Sequence, residues 1–145
     1  MIQRIQTIFL ILIVIAYVLI FEFPFAVSSV AGTGFLSDKD FDVFDSPVLL
    51  VLASLGGIAA LISVFFYNNR GLQVRLCYLS MVASILLVVT AIVLFYNEAK
   101  MMIDKGEVSD SVGLYIPVII LIFGFFAARF IRKDEKTVRS MDRLR

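Results

Sequence analysis

The sequence predicts an all-α polytopic membrane protein, a single-domain bundle of four transmembrane helices, and three observations carry that prediction. The 145 residues are 61% hydrophobic and 17% charged, with mean hydropathy +0.98, whereas soluble domains run at about 45–50% apolar and about 25% charged. The apolar residues fall in four uninterrupted windows, unlike the alternating ten-residue patterns of membrane barrel strands. The charges lie between and beyond those windows, basic on one side and acidic on the other.

A spanning helix needs about 20 mostly apolar residues, because the hydrocarbon core is roughly 30 Å thick and each residue rises about 1.5 Å. The first window, about 5–23, follows Arg4 and contains Tyr17. Tyr17 is too deep for the interfacial belt, so it is expected to face another helix and find a partner for its hydroxyl. An alternative reading takes Arg4, the apolar run and Ser29-Val30-Ala31 as a cleaved signal peptide. A long apolar run and a single basic residue argue against it.

The second window, 47–67, is introduced by Asp45-Ser46-Pro47-Val48. Ser before a first-turn Pro suits a helix start, since Ser can accept from the free amides and Pro has none to leave unpaired. The third window, 74–96, holds Cys77, the one cysteine, which with no histidine in the chain can build neither a disulfide nor a zinc site. It reads as a packing residue. The fourth window, 113–131, follows Asp110-Ser111-Val112-Gly113 and contains Pro117. If Ser111 caps it, Pro117 lies in the second turn and bends the helix. A start near Ile116 would leave only about 24 Å of apolar helix, so the earlier start fits a bilayer better. No Gly or Pro follows Ile131, and the helix is expected to run on into the basic tail, 132–145.

Small residues four apart mark the packing faces: Ala53/Gly57 and Gly56/Ala60, Ser80/Ser84, and Gly124/Ala128. Lipid offers little hydrophobic drive between helices, so close backbone approach and inter-helix hydrogen bonds decide association. Ser54, Ser63 and Thr90 add polar contacts, and the same pattern could serve a homo-oligomer. Tyr67, Tyr78, Tyr96 and Tyr115 stand at window ends, where amphipathic rings sit at headgroup level.

Ten of the 13 basic residues fall on the side of the N-terminus, the connection between the second and third windows, and the tail; nine of the 12 acids fall on the other. Basic residues are retained in the cytoplasm, so both termini are expected inside. A net charge of +1 excludes a strongly basic nucleic-acid binder. No phosphate loop, nucleophile elbow, histidine metal motif or paired in-membrane carboxylate is present. The expectation is a protein that is not an enzyme and has no cofactor, metal or nucleic-acid partner.

The candidate functional surface is the basic cluster Arg129, Arg132, Lys133, Lys136, Arg139, Arg143 and Arg145. A juxtamembrane cluster of this size attracts anionic headgroups, and Asp134, Glu135 and Asp142 among them favour a protein partner as well. Glu22, the one acid contiguous with an apolar window, is the candidate for a small oligomeric transporter or channel, as its residue at the outer mouth. Asp38, Asp40 and Asp42 match positions one, three and five of a calcium loop. Val43 and Leu49 stand where that loop needs Gly and Glu, which favours a solvated acidic loop.

Met1-Ile2-Gln3-Arg4-Ile5-Gln6-Thr7 at one end, and the run from Ile131-Arg132-Lys133-Asp134-Glu135-Lys136 through Thr137-Val138-Arg139-Ser140-Met141-Asp142-Arg143-Leu144-Arg145 at the other, carry a resemblance. The chain resembles a family of small four-helix membrane proteins of unknown function from the Bacteroidota. That resemblance implies an uncleaved first helix, an inner-membrane location and an unassigned role, and it supplies no site residues. Together these readings predict an integral inner-membrane protein, an accessory or interaction protein acting through its basic tail.

Overall fold

A computed structural model of the chain describes residues 2–29, 38–104 and 108–142, with side chains described at 5–29, 38–97 and 109–136. Helix α1 (Ile2–Ile20), α2 (Pro47–Phe65), α3 (Arg70–Asp104) and α4 (Ile116–Asp142) form a ring. The α2–α3 and α1–α4 pairs pack most extensively, and α3–α4 and α1–α2 close the circuit. The Ser29-Val30-Ala31 motif falls partly outside the described residues, as do Lys105 and Glu107.

Each helix turns one stripe inward. On α1 it is Gln6, Leu10, Ile13, Tyr17 and Ile20; on α3, Gln73, Cys77, Ser80, Ser84, Leu87 and Ala91. The outward faces are apolar, with Ile8, Val18, Val51, Ile58, Val82 and Phe125 more than half exposed. An apolar exterior around buried polar side chains inverts the usual arrangement of a soluble bundle. Among the described residues, three helices are long and apolar enough to cross a membrane: Pro47–Phe65, Arg70–Asn97 and Val112–Lys136. Ile5–Ile20 is a shorter apolar helix.

The bounds depart from the expected ones for local reasons. Helix α3 starts at Arg70, four residues before 74, because Asn69 caps it: its side-chain oxygen accepts from the Leu72 amide (3.2 Å) and its carbonyl from Gln73 N (3.0 Å). At its other end α3 runs to Asp104, eight residues past the end of the apolar window at 96. Helix α4 begins at Ile116, not at residue 113, so Pro117 sits in the first turn, where its missing N–H costs nothing. A 3₁₀ turn, Val112–Leu114, precedes it and supplies the length that a start at Ile116 lacks.

Neither expected serine cap forms. Ser46 and Ser111 have the extended backbone of a cap, but neither side chain accepts from the helix. Ser111 instead opens the 3₁₀ turn through its carbonyl, bonded to Leu114 N at 3.2 Å.

The fold also holds a sheet that an all-α reading does not contain. Strand β1 (Ala26–Ser28) lies between β2 (Asp40–Phe41) and β3 (Val108–Asp110), antiparallel to both, in the order β2-β1-β3. Ala26 pairs with both Phe41 and Asp110, so one strand joins the two inter-helix loops. Phe25, Phe41 and Val43 are buried beneath it, with the Phe41 ring 5.5 Å from Phe95. The sheet closes one end of the bundle; the other is the basic end.

Candidate functional site

Side-chain hydrogen bonds to backbone carbonyls tie the helices together. Tyr17 donates its hydroxyl to Ser80 O across the bundle (2.7 Å), as its depth required. Ser63 and Gln73 exchange bonds to each other's carbonyls at 3.2 and 3.1 Å, which locks the α2–α3 hairpin. Ser84 donates to Pro117 O (3.1 Å) and Cys77 Sγ lies 3.5 Å from Gly124 O, so α3 is stitched to α4 twice. These residues are structural.

At the basic end the sequence's candidates separate into two groups. Arg132 and Lys133 each stand three or four residues from both Arg129 and Lys136, which places the four on one face of α4. All four are exposed. They line a groove of about 700 Å³ against α3, whose other walls include Tyr78, Phe125 and Ala128. Arg132 lies over the Tyr78 ring at 5.2 Å, within cation–π range. Arg139 lies on the described backbone of α4 but its side chain is outside the described residues, and Arg143 and Arg145 are wholly outside them.

Sequence reasoning missed the residue that fixes this geometry. Asp134 reads as a diluting acid in a basic tail, yet it is buried and pairs with Arg70 at 3.0 Å. Arg70 also reaches the Asp134 carbonyl (3.5 Å). The first residue of α3 thereby holds α4 one turn beyond its apolar stretch. An acid flanked by four bases and buried on the opposite helix face was the available signal.

Glu22 is exposed, in the turn after α1, with its amide on Leu19 O (3.1 Å). Among the described contacts nothing joins it to the buried polar side chains. In the acidic loop, Asp45 accepts from Asp42 N and Asp42 from Phe44 N, both at 2.7 Å, so these carboxylates turn onto backbone. Burial, with the charges of Asp42, Asp38 and Asp40 behind it, raises Asp45 above its ordinary range, opposed by the Asp42 amide. No three acids converge as a metal site among the described residues.

Apolar outer faces, three helices of spanning length and a cationic groove at one end define a helical membrane protein. The chain belongs to the family described as Domain of unknown function (DUF4293), whose match covers residues 2–144. No curated protein and no solved structure matches it.

Proposed function

We propose that this is a multi-pass protein of a bacterial inner membrane, both termini inside, with a non-enzymatic accessory role in which its basic end docks a membrane or cytoplasmic partner. One observation carries the reading: α4 runs unbroken past Ile131 to Asp142. Those 11 further residues extend about 16 Å. A basic segment needed only for topology could be unstructured; a continuous helix clamped by Arg70–Asp134 is a rigid presenting surface. The bacterial placement rests on the resemblance of the two ends, and the orientation on the basic residues.

We count α1 as a fourth span. Its inner stripe is as buried as those of the longer helices, while Ile8, Ile15 and Val18 face outward. The transporter reading draws less support, because Glu22 stands apart from the polar interior.

Tagged full-length protein should be purified in mild detergent beside a residues 1–131 truncation, with companions identified by mass spectrometry. A stoichiometric partner recovered only with the full chain supports docking through the projecting helix. Recovery of the same defined homo-oligomer from both, with nothing else bound, would overturn it, and flux assays with Glu22→Gln in vesicles would then follow.

A further inference from the structure

We infer that the groove between α3 and α4 is a binding site for a single anionic glycerophospholipid. The inference rests on the reading above, which places this end at the cytoplasmic face. Along α4 the groove wall changes character in one step: Phe125 and Ala128 are apolar, and Arg129, Arg132 and Lys136 follow at one-turn intervals. That order matches a lipid lying along the helix, its acyl chain against Phe125 and its phosphate among the guanidinium groups. The Tyr78 ring beneath Arg132 holds that cation at the step.

Arginine suits the task, because its planar fork takes two phosphate oxygens at once. Lys133 and Glu135 also border the groove but have contacts of their own, so among the described residues the charge offered to a headgroup comes from Arg129, Arg132 and Lys136. A volume of about 700 Å³ lies within the range of small-molecule sites, about 300–1,000 Å³. A headgroup with part of its chains fits, and the rest of the chains stays in the bilayer.

Arg75 separates a site from diffuse attraction. It is an exposed base at the same end of α3 but does not line the groove. Native mass spectrometry of full-length protein, titrated with phosphatidylglycerol in detergent, should show one lipid per chain that survives delipidation. Arg132→Gln should weaken that binding about fivefold, and Arg129→Gln with Arg132→Gln and Lys136→Gln on the order of a hundredfold, at the energy of one interfacial charge each. Tyr78→Leu should weaken it too, whereas Arg75→Gln should leave it unchanged. Equal losses from Arg75→Gln and Arg132→Gln would overturn the inference in favour of a general surface field. So would displacement by glycerol phosphate at the lipid's own concentration, which would make the occupant a soluble phosphate.

The partner assay reads the other claim separately. Arg132→Gln protein that recovers the partner but shows no lipid difference sinks the inference and spares the docking role. Lipid retained by a chain that captures no partner does the reverse.

Discussion

Gly56 meets the buried Tyr17 phenol so closely that a methyl group there would overlap the ring, and Tyr17 cannot yield without losing its bond to Ser80 O. Gly124 is also crowded, though less closely, and what it meets is Met81, a flexible thioether that can re-pack. Gly56→Ala should therefore cost about 1–3 kcal/mol, the usual penalty of overpacking, and Gly124→Ala well below that. Thermal unfolding of both variants in the same detergent checks the order. Equal destabilisation would mean that the Tyr17 ring is not pinned. Both glycines belong to small-residue pairs visible in the sequence, because helical spacing alone puts i and i+4 on one face. Their partners were not visible, since nothing local in α2 says that a tyrosine 39 residues earlier fills the space opposite.

At the scale of elements, two joints hold the ends of the bundle. The Arg70–Asp134 pair is partly solvated, with side chains 18% and 11% exposed. Breaking it should cost about 1–3 kcal/mol, below the figure for a fully buried pair. A double-mutant cycle on Arg70→Ala and Asp134→Ala should give a coupling above about 0.5 kcal/mol; additive effects would remove the clamp from the account of α4. The second joint is Gly113, whose amide donates to Pro24 O (3.1 Å) and where a β-carbon would overlap the Phe23 and Pro24 carbonyls. A side chain there meets backbone, which cannot re-pack, so Gly113→Ala should loosen the sheet from α4. Faster amide exchange at Ser111 and Phe25 relative to the α2 core is the expected signature.

The three strands of this joint were illegible for a physical reason. Strands of two or three residues carry no readable period, and β3 reaches β1 from beyond two intervening helices. The α3 start was legible in principle, through Asn69 as a cap. The start of α4 was the reverse case: length alone favoured residue 113, and a 3₁₀ turn made up the shortfall instead.

For the whole molecule, the lengths of α3 and α4 matter together. At 35 and 27 residues they span about 52 and about 40 Å, and both exceed a hydrocarbon core of roughly 30 Å. They overshoot at opposite ends, α3 at the sheet end and α4 at the basic end. With Cys77 buried, single cysteines introduced at Asp38 and Lys136 make a clean topology test. In intact cells a membrane-impermeant maleimide should label Asp38→Cys and spare Lys136→Cys, and lysed cells should label both. Labelling of Lys136→Cys in intact cells would invert the orientation and the lipid face with it.

Hydropathy, charge asymmetry and helical spacing are properties of single segments. They sufficed to locate the apolar helices, their small-residue faces and the basic stripe of α4, because a helix satisfies its own backbone whatever surrounds it. Pairing across the chain is a property of no segment. Only the tertiary structure brought Tyr17 to Ser80, wove both loops into one sheet and set Tyr78 under Arg132. Only there did Asp134, which looked like a diluting charge, become the partner of Arg70, because what a carboxylate does depends on whether its neighbours leave it to water or to a guanidinium.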